Sequence, residues 1–145
     1  FVSENSELIE KLKPKQGTIL FSKDGSVGTA YLLRKDLDGI TSGAILHLTI
    51  RDKKQIIPEY LTLALNSKLV QMQAERDAGG SIILHWRVGE IENVVVPIID
   101  YTKQEQLLKS CLTLDELRAA FTSLTPSEQS AMVTLKDQLK TTLPQ

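Results

Sequence analysis

The sequence predicts an α+β protein. It is expected to hold a small mixed or antiparallel sheet with packed helices, followed by a C-terminal antiparallel helical hairpin. Three observations carry this. Short β-patterned runs separated by turn dipeptides fill the stretch up to residue 50, a helical period takes over at Ile57, and a second, leucine-rich helical period begins at Thr102. The chain has 145 residues, 41% hydrophobic and 24% charged. That length and composition suit one soluble domain with a short appendage. The expected division is 1–100 for the α+β body and 101–145 for the helical pair.

The elements follow in order. Leu8, Ile9 and Leu12 sit at helical spacing, and Pro14 and Gly17 end that segment. Residues 18–22 read as a strand, Asp24-Gly25 as a hairpin turn, and Val27 to Leu33 as the return strand. Gly28 inside the return strand marks a bulge or a close backbone approach. Ala44 to Ile50 is a third strand, with Leu46, Leu48 and Ile50 on one face and Ile45, His47 and Thr49 on the other. Pro58 suits the first turn of a helix that continues through residue 77, with a break at Asn66-Ser67. Gly79-Gly80 stops it. Val94-Val95-Val96 is a buried strand ending at Pro97. From Thr102 one helix runs through Leu107, Cys111, Leu114, Leu117 and Phe121. A Thr125-Pro126-Ser127-Glu128 capping box then starts a second, lined by Met132, Leu135 and Leu139.

Charge narrows the functional classes. The formal net charge of −1 argues against a uniformly basic nucleic-acid binder. The charge is unevenly placed, however: residues 11–54 hold nine bases against four acids. Such a block either lies on solvated loops or forms a patch facing phosphates. No run of about 20 apolar residues occurs, so no membrane span is expected. The single cysteine, Cys111, leaves no internal disulfide and no cysteine-based zinc site, and no metal site is expected. The first residue is Phe, and no charged-then-apolar leader follows it.

Catalytic constellations are not evident. Gly25 to Thr29 could cradle a phosphate with backbone N–H groups, but a hairpin turn uses the same residues for geometry. His47 and His85 have no ligand-like spacing. In His85-Trp86-Arg87 the indole is suited to stacking on a base and the guanidinium to forking onto guanine; the alternative is a Trp in the core beside an exposed Arg. Arg34 and Arg51 are the other candidates for base edges. Lys23, Lys35, Lys53 and Lys54 are candidates for phosphates. Leu107, Leu114, Leu117 and Phe121 either pack internally or offer an apolar face to a protein partner.

Several segments together resemble one family. The run GTILFSKDGS from Gly17 to Ser26, with Gly25 and then Gly28, resembles the hairpin signature of target recognition domains in the specificity subunits of type I restriction–modification enzymes. Ile57-Pro58-Glu59-Tyr60-Leu61, Leu65-Asn66-Ser67, Gly80-Ser81, Val94 to Ile98 with Pro97, and Gln104-Glu105-Gln106 resemble later motifs of that family, in its order. The match spans about residues 8–108 and resembles the later part of one such domain. Similar domains are fused to single-chain DNA adenine methyltransferases. The resemblance implies a non-catalytic module that recognises double-stranded DNA in the bacterial or archaeal cytoplasm. It implies a methyltransferase subunit or domain as partner, with S-adenosylmethionine held there and no cofactor in this chain. The helices would act as spacer and docking surface. Gly17, Gly25, Ser26, Gly28, Gly80, Ser81 and Pro97 would be architectural. An Asn-Pro-Pro-aromatic methyltransferase motif is absent from this chain. The other functional class is a protein–protein assembly module acting through the C-terminal helices.

Overall fold

The computed structural model describes residues 13–24, 27–39, 41, 43–78, 85–124 and 131–142. The fold is α+β, with six strands and six helices among those residues. The strands are β1 (Ile19–Ser22), β2 (Ala30–Leu32), β3 (Ile45–Ile50), β4 (Val95–Ile98), β5 (Ala131–Thr134) and β6 (Leu139–Thr142). The helices are α1 (Pro58–Leu65), α2 (Lys68–Ala78), α3 (Val88–Glu92), α4 (Tyr101–Ser110), α5 (Leu114–Leu124) and α6 (Leu135–Gln138). One sheet has the order β2-β1-β3-β6 and the other pairs β4 with β5; every pairing is antiparallel.

The period-two pattern of the first three strands builds the core. Ile19, Phe21, Ala30, Leu32, Leu46, Leu48 and Ile50 are all buried and share one sheet face. Tyr60, Leu61, Ala64 and Leu65 of α1 join the same core, as do Val70 and Ala74 of α2 and Leu107 of α4. The Tyr60 hydroxyl donates to the Pro97 carbonyl at 2.6 Å, and burial pushes its phenol up to about 12. On the other face Tyr31 is exposed, while His47 is buried with Nε2 2.7 Å from the Thr41 hydroxyl. Burial lowers the His47 pKa, which favours the neutral ring.

Gly28 shows why the hairpin signature needs glycine. Its φ is +84°, and a Cβ there would meet Ala74 Cβ at 3.7 Å and Trp86 Cζ3 at 3.9 Å. Gly17, with φ +89°, lies in the turn before β1, and its N–H donates to the Leu33 carbonyl at 3.0 Å. Gly25, Ser26, Gly80 and Ser81 lie outside the described residues.

Three side-chain amides tie helices to backbone. The Asn66 carboxamide accepts from Ala30 N–H at 2.8 Å and donates to Ala30 O at 2.9 Å. Gln73 does the same for Val95, at 2.8 Å in both directions. Gln104, wholly buried, accepts from Ile57 N–H at 2.9 Å and donates to Gln55 O at 3.0 Å and Ile99 O at 2.7 Å. Each amide does what a neighbouring strand would do for backbone groups that have none.

The C-terminal part corrects the expectation. The helix from Thr102 is two helices, α4 and α5, broken at Cys111–Thr113. The Thr113 hydroxyl accepts the Glu116 N–H at 3.1 Å, and Glu116 Oε2 accepts the Leu112 N–H at 2.8 Å, a capping arrangement that starts α5. The expected second helix of a hairpin is absent over 131–142, which runs strand, short helix, strand. The Thr125–Glu128 capping box lies outside the described residues. The reason is tertiary. β4 is a buried β-branched strand needing a ladder partner, and β5 supplies it from Val95↔Thr134 to Ile98↔Ala131. β6 covers the far edge of β3. β4 also runs one residue past Pro97, where it was expected to end. The Pro97 nitrogen lies on the same strand side as Val95, facing away from β5, so no ladder bond is lost.

Candidate nucleic-acid interface

The antiparallel registers decide which cations can act together. Ile19 is paired with Leu32 and with Leu48, so the start of β1 lies beside the ends of β2 and β3. The loops holding Lys15, Arg34, Lys35, Arg51, Lys53 and Lys54 therefore meet at one end of the sheet. Lys23 leaves the opposite end of β1, where its carbonyl accepts the Trp86 N–H at 2.7 Å. Arg87 follows there, as the residue before α3. Strand length separates the two ends by roughly 15 Å. The single basic block of the sequence is thus two sites in space.

At the first end, backbone geometry fixes the loops and occupies the acids. Asp36 Oδ1 accepts the Gln16 N–H at 2.8 Å, and Leu37 N–H donates to Pro14 O at 3.0 Å, which holds the Lys15 and Lys35 loops together. Asp52 Oδ1 accepts the Lys54 N–H at 3.0 Å and shapes the turn carrying Lys53 and Lys54. Asp38 is 3.4 Å from Lys13, and Glu59 is 3.4 Å from Arg34. Lys15, Lys35, Arg51, Lys53 and Lys54 are exposed, and none of them makes an ion pair among the described residues. Five cations without counter-ions on adjoining loops make a surface suited to a polyanion.

The second end is neutralised internally. Lys23 is 13% exposed and 3.2 Å from Asp24, and Asp24 is hydrogen-bonded to His85 Nδ1. His85 and then Lys23 hold the Asp24 carboxyl below its usual range. Arg76 pairs with Asp77 at 3.0 Å, and the Trp86 indole N–H donates to Asp77 at 3.1 Å. Two candidates fail here. Trp86 is fully buried, with its ring 5.7 Å from that of Phe21, so it presents no face for a base. Lys23 is enclosed and paired, so it is not placed for phosphate. Arg87 is exposed but stands apart from the other free cations.

The leucine candidates divide as well. Leu107 and Phe121 are core residues, the latter with its ring 5.8 Å from Tyr60, and they present no docking face. Leu117 is half-buried, and Leu114 is 56% exposed. The sequence pattern does not single out Gln73; it marks Asn66 as a helix break and a motif residue, and Gln104 as a motif residue, without assigning either amide a backbone partner. Their signal was an amide near a β-branched run or a proline-initiated helix, which has no fixed spacing. No group of three or more His, Cys, Asp or Glu suited to a metal occurs among the described residues, and none of their helices is long and apolar enough to cross a membrane. No protein-family model, curated protein or solved structure matches this chain.

Proposed function

We propose that this chain is the DNA target-recognition part of a restriction–modification system, non-catalytic itself, which directs an adenine methyltransferase to its site. The observation that carries this reading is the cluster of Lys15, Lys35, Arg51, Lys53 and Lys54, exposed and without ion pairs among the described residues, at one end of the main sheet. Lysines there contact phosphates and set the register; Arg51 is the arginine best placed to reach a guanine edge from the same surface. The motif resemblance supports the reading further. Gly28, Asn66 and Gln104, three of its residues, have structural work to do in this fold. The S-adenosylmethionine and the chemistry belong to the partner methyltransferase.

Anisotropy of a fluorescent duplex titrated with the whole chain tests the proposal. Binding at low salt is expected, weakening as salt rises with a log–log slope of about −0.9 for each phosphate neutralised. No binding at low salt, or binding indifferent to salt, overturns it.

A further inference from the structure

The turn that leads into β1 carries a polar side chain that the fold itself does not use. Thr18 N–H donates to Lys15 O at 3.1 Å, so residues 15–18 form a β-turn. Gly17 is its third residue, and a φ of +89° is what a type II turn requires there. Gln16 is the second residue, at the point of the turn. Its backbone is fixed by its surroundings. The Gln16 N–H donates to Asp36 Oδ1 at 2.8 Å, the Gly17 N–H donates to Leu33 O at 3.0 Å, and Pro14 O accepts from Leu37 N–H at 3.0 Å.

The side chain is left over. Gln16 is exposed, and its carboxamide makes no hydrogen bond among the described residues. Asn66, Gln73 and Gln104 differ, since each spends its amide on backbone groups. A free amide on a fixed backbone is organised in advance for an external partner. Gln55 is exposed at the same end, but it is placed differently. It closes the Lys53–Lys54 turn, with its N–H donating to Asp52 O at 3.2 Å, and it leads straight to buried Ile56 on the flank of the sheet.

The cations around Gln16 define the partner. β1 lies between β2 and β3. Lys35 follows β2 on one side, and Arg51, Lys53 and Lys54 follow β3 on the other. Two strand spacings set β2 and β3 roughly 10 Å apart. The major groove of B-DNA is about 12 Å wide, with phosphates along both walls. With the flanking loops on those phosphates, the Gln16 turn lies over the base edges between them.

We propose that Gln16 reads an adenine in the major groove, its Oε1 accepting from the adenine N6–H₂ and its Nε2 donating to N7. The inference rests on the DNA reading above and adds to it a base and the residue that selects it. Adenine alone presents an acceptor beside a donor there; guanine presents two acceptors, thymine an acceptor and a methyl group, and cytosine a donor.

The test is selection by the whole chain, at low salt, from a pool of duplexes with a random central stretch, followed by sequencing of the bound fraction. The wild type should enrich adenine at one position. Gln16→Ala should lose that enrichment and keep the wild-type salt slope and urea midpoint, because its carboxamide holds nothing in the fold. Gln16→Glu retains the acceptor and loses the donor, so its preference should move to cytosine. Gln55→Ala should select the wild-type sequence. In the selected duplex, 7-deaza-adenine at the preferred position should weaken wild-type binding about tenfold and leave Gln16→Ala unaffected. An unchanged selection by Gln16→Ala overturns the proposal, as does a change of selection by Gln55→Ala in its place. Equal weakening of Gln16→Ala on every duplex overturns it in favour of a phosphate contact. A wild type that binds the pool without base preference overturns it and leaves the DNA reading standing, whereas one that binds no duplex overturns both.

Discussion

The two ends of the main sheet hold similar residue types and use them in opposite ways. Near Ser22, Lys23 is closed in by Asp24, and Asp24 by His85. Arg76 faces Asp77, and Asp77 takes the Trp86 N–H. Near Ile19, the acids bond to backbone N–H groups or to Lys13 and Arg34, and five cations are left exposed. A count along the chain cannot see this difference, because Lys23 and Lys35 are equal letters. What separates them is whether the carboxylates nearby point at side chains or at backbone. The paired end is part of the core's closure; the unpaired end is available to a ligand.

The largest expected effect breaks the paired end. Trp86→Ala removes a fully buried indole between Phe21 and Gly28 and leaves Asp77 with the Arg76 guanidinium but without the indole N–H. A loss of about 3–5 kcal/mol in urea unfolding is expected. A loss below about 1 kcal/mol, the size typical of a surface substitution, would place the indole outside the core.

Gln104→Glu sharpens the comparison from the other side. Gln104 sits behind the Lys53–Lys54 turn and holds Gln55 O, Ile57 N–H and Ile99 O. Glutamate keeps the acceptor but sets a carboxylate against two carbonyls, and a stability loss of about 3 kcal/mol is expected. The charged loops at the free end thus rest on an uncharged buried anchor. If Gln104→Glu leaves the unfolding midpoint unchanged, that anchor is not structural.

The third effect is on binding alone. Lys53→Gln/Lys54→Gln removes two exposed cations that make no ion pair among the described residues, so stability should stay within about 0.5 kcal/mol. On the DNA reading, the log–log salt slope should become shallower by about 2. The parallel substitution Lys23→Gln should lower stability and leave the salt slope as it was. Equal changes in slope from the two ends would erase the distinction between them.

The legible part of the fold is the part set by local pattern. Strict alternation fixed the faces of β1 and β3, Pro58 fixed the start of α1, and Asn66-Ser67 marked the break before α2. The misread part is the stretch after Thr102. Met132, Leu135 and Leu139 fit a helical period, yet β5 and β6 form because the edges of β4 and β3 lie beside them, 33 residues away in sequence at the nearest (Ile98↔Ala131) and 95 at the farthest (His47↔Thr142). Thr113-x-x-Glu116 was a readable helix start, overshadowed by the leucine period running through it. For the site, residue type nominated the cations, and only the β1–β2–β3 register showed which ones share a surface. The chemistry of Trp86 was decided by its burial against Phe21, beside the hairpin at Gly28.

The smallest expected effect concerns acid. Arg76, with a contribution from the Trp86 N–H, holds the Asp77 carboxyl below its ordinary value of 3.8. A carboxyl depressed by folding stabilises fully above its unfolded pKa, and that stabilisation drains away as pH falls through the folded value. Urea midpoints for the wild type should therefore fall as pH drops below about 4, the unfolded aspartate range. Asp77→Asn keeps an acceptor for the Trp86 N–H and removes the titrating group. Its stability above that range should be slightly below that of the wild type, and its fall with acid shallower. Parallel acid profiles for the two proteins would mean that Asp77 holds Trp86 through its hydrogen bond alone. The paired end would then owe its closure to packing, with charge incidental to it.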